Sequence, residues 1–242
     1  AAFFLSFFHR VCTGAIAGDL QREFEMGAAA LGTLGATYFY IYGLTQVPLG
    51  VLIDTIGPRK ILWVGMTVAG IGSLAYGYSG SFGAALASRT LIGLGVSGVF
   101  VSTLKLHANW FSDQRFATAV GVSNVSGILG ALAATAPLAW LVTQVPWRTV
   151  FVAIGVISIV LAAAIALFVR DAPEVSGNRV AAGEWRSALK AVALNRATWP
   201  PFWLTFSMSG AFMTLVSLWT APYLVHKHGL SQVAAGSYPA MT

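Results

Sequence analysis

The sequence predicts an all-α membrane protein: a bundle of six membrane-spanning helices, then a seventh and the start of an eighth. Three observations carry this reading. Charged residues are 9% of the 242 and hydrophobic ones 57%, against about 25% charged in soluble domains, so polar side chains are too few to cover a surface in water. The apolar residues fall in runs of about 20, the length a helix needs to cross hydrocarbon. Those runs are too long for barrel strands, and backbone in lipid must satisfy its own hydrogen bonds, which leaves helices.

Taken in order, segment 1 covers roughly residues 1–20 and opens directly inside an apolar run, so the chain reads as truncated at its start. Segments 2 to 6 follow at about 28–53, 61–80, 83–110, 116–143 and 147–169, with gaps short enough for antiparallel neighbours. Residues 170–198 break the pattern. They are polar, carry Pro173 and Gly177, and contain an amphipathic stretch at 183–195 with Trp185, Leu189, Val192 and Ala193 on one side, read as an interfacial helix. Segment 7 spans about 199–224, and segment 8 begins near Ser231. The expected organisation is a six-helix bundle over 1–170, a cytoplasmic linker over 171–198 and the start of a second bundle over 199–242.

Orientation follows from the bases. Arg59, Lys60, Arg115, Arg170, Arg179, Arg186, Lys190 and Arg196 lie on one side, and Arg22, Arg148 and Lys227 on the other. Positive charge stays inside, so the larger set and the N-terminus are expected in the cytoplasm, in a bacterial inner (plasma) membrane. Trp63, Trp110, Trp147 and Trp199 sit near segment ends, as interfacial aromatics do. A weak repeat aligns 224–236 with 20–32, pairing Leu20 with Leu224, Ala30 with Ala234 and Gly32 with Gly236. That offset makes segments 7 and 8 counterparts of 1 and 2, a parallel six-segment repeat of the transporter kind.

Composition removes several function classes. The net charge of +6 arises from bases in short loops rather than a solvated basic face, which argues against a nucleic-acid partner. Cys12 is the only cysteine, so there is neither an intrachain disulfide nor a cysteine metal cluster. Gly93 to Gly98, GLGVSG, fits a dinucleotide fingerprint but lies inside a long apolar helix, where small residues serve close packing. The Asn124 sequon lies within a membrane segment, and His226 and His228, two apart in a loop, do not make a metal site. No phosphate loop or nucleophile elbow is present, and a membrane-embedded enzyme would need clustered histidines or acids inside segments. Neither catalytic residues, nor a metal, nor a cofactor is expected.

Charge inside the membrane remains. Arg10, Arg89 and Lys105 fall within apolar segments, where each costs roughly 2.5–3.5 kcal/mol at a helix centre. Arg10 is either a structural arginine on backbone carbonyls or a cavity base that grips an anion through its fork of donors. Lys105 either snorkels to the interface or is a second solute-facing base. Arg89 either caps helix carbonyls or takes part in ion coupling. Acids are missing from segment interiors, so a proton carrier is His9, a residue at the chain's edge or one in the part not present, or else Arg10 paired with the solute's own carboxylate serves. Tyr38, Tyr42 and Gln46 share one face of segment 2, where they either line a polar cavity or pack; Asn124 and Trp219 are further solute-binding candidates.

Residues 50–60, GVLIDTIGPRK, set Gly50, Asp54, Gly57, Arg59 and Lys60 between segments 2 and 3. This resembles motif A of the major facilitator superfamily. Arg89 to Gly95, RTLIGLG, resembles the superfamily's motif B, and Pro146-Trp147-Arg148 at the start of segment 6 is also typical of it. The resemblance spans the chain and implies a major facilitator-type bundle that works by alternating access. There are departures: Thr55 replaces a base, segment 5 lacks the Gly-Pro pair of the antiporters, and segment 2 lacks the arginine of nitrate carriers. Arg10 with Lys105 is similar to organic-anion and organophosphate carriers, with lysosomal-dipeptide-type carriers a second similar group. The expected function is secondary transport of a small anionic organic solute, with a proton or sodium ion as coupling candidates and a monomeric carrier. The alternative is a sensor on a transporter fold. In the resembled family the motif A turn gates the conformational cycle. Asp54 ends a helix at its C-terminus, where the dipole disfavours an acid. It is therefore expected to contact the end of segment 4 or the start of segment 5, with Arg115 the candidate partner.

Overall fold

The computed structural model describes residues 1–171, 185–214 and 227–228. The chain divides into two compact units, residues 1–181 and 182–242.

In the first unit the described residues form helices α1 (Ala2–Ala15), α2 (Ala17–Glu23), α3 (Ala28–Ile56), α4 (Pro58–Gly77), α5 (Phe82–Ser97), α6 (Val99–Trp110), α7 (Asp113–Ala133), α8 (Ala136–Gln144) and α9 (Trp147–Phe168). The six expected segments are all present, and three of them divide. Segment 1 breaks at Ile16, between Gly14 and Gly18. Segment 4 breaks at Gly98. Segment 5 breaks at Ala134 and Thr135, where Pro137 follows without an amide hydrogen and the Thr135 hydroxyl donates to the Leu132 carbonyl at 2.7 Å. Hydropathy cannot register such breaks, because the flanking residues remain apolar. Pro48 lies inside α3 and does not end it. Among the described residues, four spans are long and apolar enough to cross a membrane: Ala28–Ile56, Phe82–Trp110, Asp113–Ala133 and Trp147–Phe168.

Packing follows the small residues. The most extensive helix pair is α4 with α9, followed by α4 with α5, α1 with α7 and α3 with α5. Gly95 sits so close to α4 that a side chain there would run into the Gly65 carbonyl and the Ala69 backbone, and Gly130 of α7 lies equally close to the Phe4 carbonyl. The glycines of GLGVSG thus serve helix packing, in a helix rather than at a strand end. Aromatic rings fill the gap between α1, α4 and α9. Tyr76 stands 4.9 Å from Phe151 and 5.3 Å from Trp147, and Phe8 approaches Phe151 at 6.5 Å.

One end of this unit is pinned at Glu23. Its Oε1 accepts from Arg148 Nε at 2.9 Å and Nη2 at 2.7 Å, and its Oε2 accepts from Trp147 Nε1 at 2.7 Å. Arg148 Nη1 also donates to the Gly77 carbonyl at 2.9 Å, so one carboxylate ties segment 1 to segments 6 and 3. This arrangement explains the Trp-Arg pair at the start of segment 6.

In the second unit the described residues form α10 (Trp185–Leu194), a 3₁₀ turn (Arg196–Thr198) and α11 (Trp199–Thr214). The amphipathic stretch expected at 183–195 is α10. Trp219, segment 8 and most of the repeat partner at 224–236 lie outside the described residues.

Candidate functional site

His9 and Arg10 are neighbours on α1 and leave it in different directions. His9 is fully buried, 6.3 Å from the Phe151 ring, and neither of its ring nitrogens has a hydrogen-bond partner. Arg10 turns towards α3. Its guanidinium carbon lies 4.7 Å from the Phe7 ring centroid and 5.2 Å from that of Tyr42, within cation–π range of both. Its Nε has no hydrogen-bond partner, and among the described residues no carboxylate lies within ion-pair distance of it.

Tyr38 and Tyr42, one turn apart on α3, stack with ring centroids 6.0 Å apart. Tyr38 is fully buried and its hydroxyl donates to the Ser6 carbonyl at 3.1 Å, tying α3 to α1 beneath Arg10. Gln46 continues the face, and its amide donates to the Ser97 carbonyl at 3.1 Å, at the end of α5. Asn124 is exposed on α7. Nearby, His107 Nε2 and Ser123 Oγ lie 2.8 Å apart and join α6 to α7.

Arg89 occupies a different place from Arg10. It is 1% exposed, and Nη1 donates to the His9 carbonyl at 3.0 Å and approaches Cys12 Sγ at 3.6 Å. Its guanidinium carbon lies 5.5 Å from the Tyr38 ring centroid and 6.0 Å from that of Tyr76. A buried cation without a carboxylate is costly unless dipoles and ring faces replace its hydration. Here a helix carbonyl and two tyrosine rings do so in part, joining segments 1 to 4 around one side chain, while its Nε and Nη2 have no hydrogen-bond partner.

The turn between α3 and α4 forms a second cluster. Lys105 of α6 makes an ion pair with Asp54, which meets the end of segment 4 as expected, through Lys105 rather than Arg115. Arg115 is exposed on the first turn of α7. Gly50, one turn before Asp54, has open space beside it. Gly57 has φ +102° and ψ 147° and serves at once as C-cap of α3 and N-cap of α4. It offers no side chain to cap α4. Asp171, at the foot of segment 6, supplies the cap: its Oδ1 accepts from the Arg59 backbone amide at 3.1 Å. The Arg59 side chain donates to the Ala166 carbonyl, and Trp110 Nε1 donates to the Arg170 carbonyl at 2.8 Å. Lys60 is exposed. The turn is thereby held by segments 4 and 6 together. Asp171 is the residue that sequence reading missed. Its one signal was indirect: a helix starting Gly57-Pro58 has no capping side chain of its own, so its amides need an acceptor from elsewhere.

The family model of the Major Facilitator Superfamily matches residues 1–242. Among curated proteins, the chain is 24% identical to a probable sulfoacetate transporter, SauU, of Cupriavidus necator, over 96% of this chain and 57% of that protein. It is 25% identical to a probable L-galactonate transporter of Escherichia coli, over 92% of this chain and 52% of that protein. Among solved structures, it superposes with TM-score 0.73 and 20% identity on a bacterial homologue of the human lysosomal transporter Spinster, inward-facing and unoccupied. That match covers 99% of this chain and 57% of the other. The chain therefore spans little more than half the length of these proteins.

Proposed function

The chain belongs to the Major Facilitator Superfamily, and on that premise we propose that the whole protein is a secondary active carrier of a small organic anion. It is a multi-pass membrane protein of all-α bundle type, and the relatives it matches are named as transporters. The observation that carries the solute reading is Arg10: a guanidinium within a transmembrane segment, set against Phe7 and Tyr42, with no carboxylate of the described chain to neutralise it. Cations at that depth find an anion or a polar cavity, and the guanidinium fork suits carboxylate and sulfonate groups. The names of the relatives support the same class, since sulfoacetate and galactonate are both organic anions.

In this proposal Tyr42 forms a wall of the solute site and Tyr38 holds that wall in place through Ser6. Gln46, Asn124 and Trp219 are secondary solute contacts. Asp54 and Lys105 form the gate at the end read as cytoplasmic, with Gly50, Gly57, Arg59, Lys60 and Arg115 shaping its turn. Lys105 becomes available to the solute only when the gate pair opens. His9 and Arg89, packed together behind the solute site, are the groups through which a proton would couple.

The test is uptake of carboxylate and sulfonate solutes by the full-length protein in vesicles. Arg10→Gln is expected to abolish uptake while the protein still folds and inserts, and Arg10→Lys to retain a part of it. Normal uptake by Arg10→Gln overturns the assignment.

A further inference from the structure

We infer that α10 is a membrane-surface anchor whose bases engage anionic phospholipid where segment 7 meets the bilayer. From Trp185 to Thr214 the chain carries Arg186, Lys190 and Arg196 and no Asp or Glu. In the sequence, Trp185, Leu189 and Val192 recur at helical spacing, and Arg186 and Lys190 are four residues apart. Apolar residues of this unit are exposed: Val192 to 55% and Leu194 to 70%, with Lys190 and Arg196 also exposed.

The depth of α10 is fixed by its junction with α11. The Asn195 amide donates to the Ala191 carbonyl at 3.0 Å, and Asn195 Oδ1 accepts from the Ala197 amide at 3.0 Å. Trp199 Nε1 donates to the Ala193 carbonyl at 3.0 Å, stapling the start of α11 onto the end of α10. From there a ladder of exposed rings runs along the first two turns of α11: Trp199 stacks near Trp203 at 6.4 Å, and Phe202 near Phe206 at 6.2 Å. Tryptophan with an apolar body and a polar edge belongs at the membrane–water interface. A ten-residue helix is about 15 Å long, too short to span. Held beside interfacial tryptophan, α10 lies at headgroup level, where apolar residues enter the acyl boundary and bases meet phosphate. Each base near an anionic leaflet is worth about fivefold in partition, so the charge complementarity selects anionic over zwitterionic lipid.

This inference rests on the transmembrane fold and not on the solute, so loss of uptake leaves it standing. The test uses the full-length protein carrying an environment-sensitive fluorophore on Val192→Cys, in a background free of other reactive cysteines. It is reconstituted in phosphatidylcholine vesicles with or without phosphatidylglycerol, and spin-labelled lipid is the quencher. The expected result is strong quenching in phosphatidylglycerol vesicles, weakened by salt and by Lys190→Gln/Arg196→Gln, about fivefold in partition per base. That variant changes exposed side chains only, and an unchanged melting midpoint confirms its fold. Two results overturn the inference. Equal quenching in both lipids shows no preference for anionic headgroups. A buried fluorophore that lipid-borne quencher never reaches shows α10 packed on protein.

Discussion

Arg10 and Arg89 are both arginines within apolar helices, and their surroundings differ. Neither has a carboxylate partner among the described residues: Arg89 reaches a helix carbonyl and two ring faces inside the core, whereas Arg10 lies against the rings of Phe7 and Tyr42. Gly57 is equally particular. Its φ of +102° with extended ψ is a region open essentially to glycine alone, and a Cβ there would stand 2.8 Å from Asp171 Oδ2. Gly57→Ala is therefore expected to cost about 1–3 kcal/mol from backbone strain and to displace the Asp171 cap, visible as a lower melting midpoint. Asp54 and Lys105 lie on the partly exposed end of the unit, with side chains 50% and 28% accessible. Their pair contributes little stability, about 0–1 kcal/mol. Reversing one charge, Asp54→Lys or Lys105→Asp, is expected to slow uptake with little change in melting, and the double reversal to restore a part of it, since position 105 then offers the solute no base. Failure of the double reversal to recover any uptake would remove the pair from the gate. Residues 50–60 were legible as a motif because their spacing is local. The partner of Asp54 was not, because choosing Lys105 over Arg115 depends on how segment 4 is rotated against segment 2.

At the scale of the helix, the length of the apolar runs located all six segments of the first unit, and small residues set how near they approach. Gly95 meets the backbone of α4, and Gly130 the backbone of α1. Adding side chain at a backbone–backbone contact cannot be absorbed by a rotamer change, and overpacking costs typically 1–3 kcal/mol or more. Gly95→Leu is expected to lower the yield of monodisperse protein sharply, as read by fluorescence-detected size exclusion. Gly80→Ala, at a glycine with open space around it, is expected to leave that yield unchanged. The breaks at Ile16, Gly98 and Thr135 were hidden from hydropathy for the same reason that the segments were visible. An apolar residue outside helical geometry is as apolar as one within it.

Across the first unit, two polar clusters stand at opposite ends of an apolar body. Glu23 binds Trp147 and Arg148 at one, and Asp54, Lys105 and Asp171 hold the α3–α4 turn at the other. Glu23→Gln keeps the shape and removes the charge. It is expected to weaken two hydrogen bonds from Arg148, at about 1.5–3 kcal/mol for charge-assisted bonds before solvent screening, and so to lower the melting midpoint more than Asp54→Asn does. Equal effects would show that the Glu23 cluster contributes no more than a surface pair. The sequence by itself determined that the chain crosses a membrane in helices, where those helices run, and which family its motifs belong to, because hydrophobic length and turn chemistry are local properties of the chain. Only the tertiary structure decided how Arg10 and Arg89, neither with a carboxylate partner among the described residues, are surrounded, which acid meets which lysine, and that Asp171 caps α4. Each of those depends on the depth and rotation of helices far apart in sequence, set by the close packing of glycine against backbone.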